Sequence, residues 1–153
     1  EMNEEMKPIN EKYRESVQNN YLNAGKEDKT AADALNEDKE QTFKTLVTVS
    51  NKNEHFVFSI PVNHSLNLKK AAKAVGAKSI EMIKQKELLP LTGYIHGGCS
   101  PIGMKKRFIT VINDTAMLFD TILVSAGQVG YQVELSPNDL LNFVNAKFED
   151  VID

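Results

Sequence analysis

From residue 42 onward the chain switches repeatedly between the two-residue period of a strand and the three-to-four-residue period of a helix. Residues 42–50 (TFKTLVTVS) and 55–62 (HFVFSIPV) are dense in β-branched and aromatic side chains, with the polar NKNE between them. That pattern predicts a β-hairpin with Pro61 near its end. LKKAAKAV follows with helical spacing; Asn67 stands where a cap is needed and Gly76 where the chain must leave the helix. SIEMI predicts a short strand, and KQKELL one or two helical turns ending before Pro90. Beyond an irregular stretch, FITVI predicts a strand and DTAMLF a short helix. TILVS and YQVEL predict two strands joined by a glycine-containing turn, AGQVG. A last helix opens with Ser136 as cap, Pro137 in its first turn and Asp139 three residues past the cap. It is expected to carry Leu140, Leu141, Phe143 and Val144 into the core, with FEDVI adding a terminal strand. Short strands interleaved with short helices predict the α/β class in its mixed α+β form. The expected fold is a single domain with a mixed, curved sheet flanked by short helices.

Residues 1–27 have a different character: polar, rich in Glu, Asn and Lys, with few large apolar groups. Met6, Ile9, Tyr13 and Val17 fall at helical spacing, so this segment reads either as a peripheral amphipathic helix or as a partly disordered tail. Residues 28–36 read as a short helix, and residues 28–153 as the functional domain. Charge sharpens the division. Residues 1–40 hold 6 basic and 11 acidic residues, a balance of −5; residues 41–153 hold 12 and 10, a balance of +2. A net charge of −3 therefore leaves room for a local basic face on the second part. No apolar run is long enough to span a membrane, and the acidic, polar start does not read as a secretory leader. One cysteine, Cys99, cannot form an internal disulfide, which agrees with a cytoplasmic setting.

The irregular stretch, LTGYIHGGCSPIGMKKRF, holds most of the candidate chemistry. Gly93, Gly97, Gly98 and Gly103 let the backbone approach a ligand and aim N–H groups at an anion or an ester carbonyl; a tight inter-strand turn would use the same residues. Their spacing matches neither a triphosphate loop nor a dinucleotide fingerprint. Lys105, Lys106 and Arg107 follow directly and are either a solvated run or a site for a phosphodiester chain. Lys44, in the first strand, is either an ordinary half-exposed lysine or a group that neutralises a phosphate at a pocket mouth. His96 precedes Cys99 by three residues, yet a catalytic pair needs an orienting third group that the sequence does not supply. His55, His64 and His96 lack metal-ligand spacing, and Ser125 in VSAG lacks the glycines of a hydrolase elbow.

Taken together these segments resemble the YbaK/EbsC family, which is related to the editing domain inserted in many bacterial prolyl-tRNA synthetases. The resemblance is carried by FKTLV, LNLKKAAKAVGAKSIEM, TGYIHGGCSPIGMKKRF, VSAGQVGYQVELSPNDLL and NAKFEDV, in the family's order from about residue 34 to the C-terminus. It implies a cytoplasmic aminoacyl-tRNA deacylase that cleaves the ester of a mischarged tRNA, typically cysteine on the tRNA for proline. It implies no metal and no organic cofactor, and prolyl-tRNA synthetase as a possible associate. By the same resemblance Lys44, Gly97 and Gly98 are catalytic; the run Lys105, Lys106 and Arg107, beside that loop, is then the expected tRNA-binding patch. Thr45, Ser100, Pro101, Ser125 and Gln132 then bind substrate. Gln132 stands where some relatives carry an acidic residue, and the family's usual N-terminal strand is not recognisable in residues 1–33. The implied chemistry needs few side chains: the substrate's thiol attacks its own ester carbonyl, in a lyase-like step, while backbone amides near the glycine pair hold that carbonyl. Two other readings compete with it, a non-catalytic module binding a tRNA end or small ligand, and a cysteine hydrolase using Cys99.

Overall fold

A computed structural model describes residues 39–153. The expectations for residues 1–27 and for the short helix at 28–36 lie outside the described residues.

The predicted hairpin is present as β1 (Phe43–Ser50) and β2 (His55–Pro61), paired antiparallel with Lys44 opposite Ile60 and Thr45 opposite Ser59. Its turn closes where the Ser50 hydroxyl accepts from Lys52 N–H and Glu54 N–H, each at 3.2 Å. Helix α1 (Leu68–Val75) follows as expected. The Asn67 side chain accepts from Lys70 N–H, and Gly76 terminates the helix in the left-handed region at φ 72°. β3 (Ile80–Met82) returns antiparallel to β1.

Helix α2 (Gln85–Thr92) departs from expectation by running past Pro90. Its C-terminal turn is closed without the proline N–H. The Thr92 hydroxyl donates to Leu88 O at 2.7 Å, and Gly93 N–H to Leu89 O at 2.9 Å. β4 (Ile109–Asn113) runs into a short 3-10 turn (Asp114–Leu118). β5 (Ile122–Ser125) and β6 (Gln132–Leu135) form a separate antiparallel ribbon. Helix α3 (Pro137–Val144) is capped by the Ser136 hydroxyl, which accepts from Asp139 N–H. It buries Leu140, with Leu141 and Val144 packed at the edge of the core, while Phe143 stays 38% exposed rather than entering it. β7 (Lys147–Glu149) closes the sheet.

The five-stranded sheet has the order β3-β1-β2-β4-β7 and is mixed, since β2–β4 and β4–β7 are parallel. It therefore agrees with the predicted class, and the two-stranded ribbon is an addition to it. Because side chains alternate across a strand, the sheet has two differently covered faces. On one, Phe56, Phe58, Ile60 and Val111 pack against Ala71 and Ala72 of α1 and against Ile80. Lys70 fastens this layer by donating to Asp150 Oδ2 at 2.9 Å and to Ile152 O at 2.8 Å. On the other, Val47 and Val57 meet Tyr94 and Cys99 of the irregular loop. Phe43 and Ile112 there meet Ile102, Val124, Ala126 and Leu140. The ribbon is tied to the main sheet by a parallel bridge between Thr42 and Leu123, and by Leu123 N–H donating to Gln41 O.

Candidate functional site

The second face carries the expected pocket elements. Residues 93–108 fold back on themselves as a pinned loop. The Tyr94 hydroxyl, buried, donates to Ile102 O at 2.5 Å and so ties the two arms of the loop together. The fully buried Ser100 hydroxyl accepts from Ile102 N–H at 3.2 Å, and Thr92 Oγ1 accepts from Tyr94 N–H at 3.1 Å. Lys105 N–H donates to Thr92 O and closes the base of the loop. A loop of this composition would be mobile without such ties; here its polar groups hold its own shape.

The glycine pair has two separate jobs. Gly97 is exposed with φ 87°, a conformation that side chains resist. Gly98 is buried against the turn of the β5–β6 ribbon, where an added Cβ would lie 3.1 Å from Val129 N and 3.3 Å from Gln128 C. Its N–H donates to Ile95 O at 3.0 Å and so closes the loop's own turn. The loop also touches the ribbon at Gly127, where a Cβ would meet the Tyr94 ring at 3.0 Å. Ser125, at the end of β5, accepts from Gly127 N–H at 3.1 Å and is paired across the ribbon with Gln132.

Alternation divides the two neighbours on β1. Thr45 shares the face of Val47 and Val57 with the loop, whereas Lys44 lies across from Ile60 on the α1 face, half-buried, one residue inside the end of the strand. The fold thus gathers Thr45, Ser100, Pro101 and the glycine pair on one side of the sheet, whereas Ser125 and Gln132 alternate with the core-facing Val124 and Val133 and so lie on the outer face of the ribbon. Lys44 sits at the strand end near the Thr42–Leu123 bridge, on the opposite side. Lys105, Lys106 and Arg107 are exposed along the loop's descending arm. Lys106 and Arg107 line a shallow, open groove together with Pro101, Met104, Phe108 and Phe143.

Cys99 is buried, and burial pushes its thiol up to about 12, partly offset by a hydrogen bond with Thr92. His96, the partner a thiol nucleophile would require, is exposed. A thiol held neutral and away from the imidazole is a packing residue. Of the other histidines, His64 pairs with Glu40 at 3.0 Å and His55 packs edge-on against Phe108. No group of three potential metal ligands occurs among the described residues. None of their helices is long and apolar enough to cross a membrane.

Two further residues on this face belong to no catalytic or binding motif in the sequence. Tyr94 gives no sign in the sequence that its hydroxyl closes the loop. Ser59 is the lone hydroxyl in an otherwise apolar run, FVFSIP, and that interruption is the one signal that marks it.

The sequence was compared with known proteins. The family model described as the aminoacyl-tRNA editing domain matches residues 24–143. A protein of Enterococcus faecalis (strain ATCC 700802 / V583), EbsC, assigned as a Cys-tRNA(Pro)/Cys-tRNA(Cys) deacylase, is 48% identical over 122 residues, covering 80% of this chain and 74% of that one. Among solved structures, one assigned as a trans-editing enzyme for prolyl tRNA synthetase superposes with a TM-score of 0.71 at 24% identity, covering 80% of this chain and 77% of that chain. A hypothetical protein superposes at 0.72 and 24% identity, covering 80% and 81% respectively. At such identities the structural likeness speaks for the fold, while the family match and the E. faecalis relative speak for descent. The chain belongs to the aminoacyl-tRNA editing domain family.

Proposed function

We propose that this protein is a trans-editing aminoacyl-tRNA deacylase whose substrate is a tRNA for proline mischarged with cysteine. The observation that carries the reading is the pinned glycine-rich loop lying over the Thr45 face of the sheet, in a chain 48% identical to EbsC, assigned as a Cys-tRNA(Pro)/Cys-tRNA(Cys) deacylase. Ester cleavage needs the carbonyl held where negative charge develops, and a backbone amide in the exposed glycine turn, such as that of Gly97, suits that task. Gly98 supports it by letting the loop rest against Gln128 and Val129. Thr45, Ser100 and Pro101 enclose the amino acid. Lys44 binds the phosphate or sugar of the tRNA's terminal nucleotide from the end of β1, and Lys105, Lys106 and Arg107 hold the phosphodiester chain further out.

A site with these groups offers no triad, and the substrate supplies the missing nucleophile. The cysteinyl thiol attacks its own ester carbonyl, and the C–O bond to the ribose breaks. The ribose oxygen takes up the thiol proton, and a cyclic thioester is released for water to open. Cys99 has no part in this scheme, which agrees with its burial and raised pKa. The partner is therefore the mischarged tRNA, with prolyl-tRNA synthetase as the protein positioned to deliver it. A deacylation time course on tRNA for proline carrying cysteine, alanine or proline tests the reading. Selective loss of the cysteinyl ester, with the prolyl ester spared, is expected. Survival of all three at the buffer rate, with charged tRNA still bound, would make the protein a binding module instead.

A further inference from the structure

Among the described residues, most buried hydroxyls are bonded within the protein. Thr48 donates to Phe56 O, Thr92 to Leu88 O and Thr110 to Phe108 O, while Ser50 and Ser100 accept from backbone N–H groups. Three side-chain oxygens depart from this rule: Thr42 Oγ1, Thr45 Oγ1 and Ser59 Oγ are buried without a partner. Thr42 lies outside β1, at its bridge to Leu123. The other two face each other across the hairpin, Thr45 on β1 and Ser59 on β2, and Ser59 has 0% exposure. An unpaired buried hydroxyl opposes folding, so two on directly paired residues call for an explanation.

Their neighbours locate them. Two residues along one direction stand Val47 and Val57, packed against Cys99 and Tyr94. Two residues along the other stands Phe43, and beside Ser59 on β4 stands Ile112; both pack with Ile102, Val124 and Ala126. The Thr45–Ser59 pair therefore lies between the part of this face that meets Cys99 and Tyr94 and the part that meets Ile102, Val124 and Ala126. Between Cys99 and Ile102 come Ser100 and Pro101, residues that the proposed function places around the amino acid.

We propose that Ser59, together with Thr45, forms a hydroxyl floor that recognises the neutral polar atom of the substrate's side chain, the thiol of cysteine. This rests on the proposed function and adds to it a specificity-determining residue. The sheet neighbours of the pair, Phe43, Val47, Val57 and Ile112, are apolar, so an ammonium placed there would be buried without a counter-charge, which is costly. A thiol is neutral and donates one hydrogen bond, which a hydroxyl oxygen accepts. Accepting S–H also leaves the sulfur lone pairs free to turn toward the carbonyl. An isosteric methyl in the same place would leave both hydroxyls unpaired, and this penalty is what produces discrimination.

The test separates binding from chemistry. tRNA for proline is loaded with cysteine or with its isostere 2-aminobutyrate through a non-hydrolysable 3′-amide. Its Kd is measured for the full-length wild type, Ser59→Ala and Thr45→Val. The wild type is expected to favour the cysteinyl amide by about 10-fold, and each variant to lose most of that preference by weakening the cysteinyl complex alone. Neither variant should lower the melting temperature of the free protein, because neither removes a bond that the free protein makes. A preference unchanged in both variants, no preference in the wild type, or a variant that loses melting temperature along with binding would overturn the proposal. Failure of the deacylase reading is separately visible as a cysteinyl ester that the wild type does not hydrolyse.

Discussion

The two faces of the five-stranded sheet use the same strands to opposite ends. Toward α1, Phe56, Phe58 and Ile60 occupy alternate positions on β2 and meet a helix whose caps, Asn67 and Gly76, leave little to correct. Toward the loop, β2 presents Val57 and then Ser59, and the covering layer is an irregular loop rather than a helix. One face is a dry joint between regular elements. The other gives up apolar contact at Thr45 and Ser59, and places glycines where a helix would have placed side chains. On the proposed reading, the site is built by withholding apolar contact from one side of a strand whose other side supplies it.

The largest expected effect contrasts two adjacent residues on β2. Phe58→Ala removes a fully buried ring and should cost about 3–5 kcal/mol of stability in urea titration. Ser59→Ala, one residue on, should change stability by no more than about 0.5 kcal/mol. Comparable losses at both positions would erase the contrast between the faces. Next comes Lys44→Ala, expected to lower kcat/KM for deacylation about 10- to 100-fold, mainly through KM, with little change in the unfolding midpoint. Retained activity would remove Lys44 from the site. Gly98→Ala should cost about 1–3 kcal/mol, because its Cβ meets the backbone of Val129 at 3.1 Å rather than a yielding side chain. It should also slow deacylation by lifting the loop from the ribbon.

A pH effect comes from Cys99. Its folded pKa is raised to about 12 by burial, so the folded state holds a proton that the unfolded chain releases near pH 9. The resulting stability is present in full below about pH 9 and declines as pH rises toward 12. Cys99→Ala should flatten that alkaline decline, measured by thermal melts at pH 8 and 10.5, and leave deacylation intact. The smallest effect belongs to the descending arm of the loop. Removing Lys106 or Arg107 should reduce the salt slope of tRNA binding by about 1 each and leave the choice of amino acid unchanged.

Much of this was legible in the sequence because the signals are local. Alternation around NKNE specified the hairpin, and Asn67, Gly76, Ser136 and Asp139 marked helix ends with side chains that make the expected bonds. Helix α2 was misjudged at Pro90, where Thr92 and Gly93 supply the closing bonds that a proline rule does not anticipate. Phe143 was assigned to the core from its spacing alone, yet it borders the groove beside Lys106 and Arg107. The site was legible in part. Glycines and cations announce themselves, whereas the division of Lys44 and Thr45 between two faces becomes meaningful only once one face is known to carry the loop. The pairing of Thr45 with Ser59 depends on strand register, which no single stretch of sequence states.

The most direct test of the account is a single-turnover deacylation of cysteinyl-tRNA for proline by the wild type and Cys99→Ala. The account predicts release of cysteine well above the buffer rate, equal in both proteins. Release that disappears with Cys99, or an ester that outlasts the enzyme in both, would contradict it.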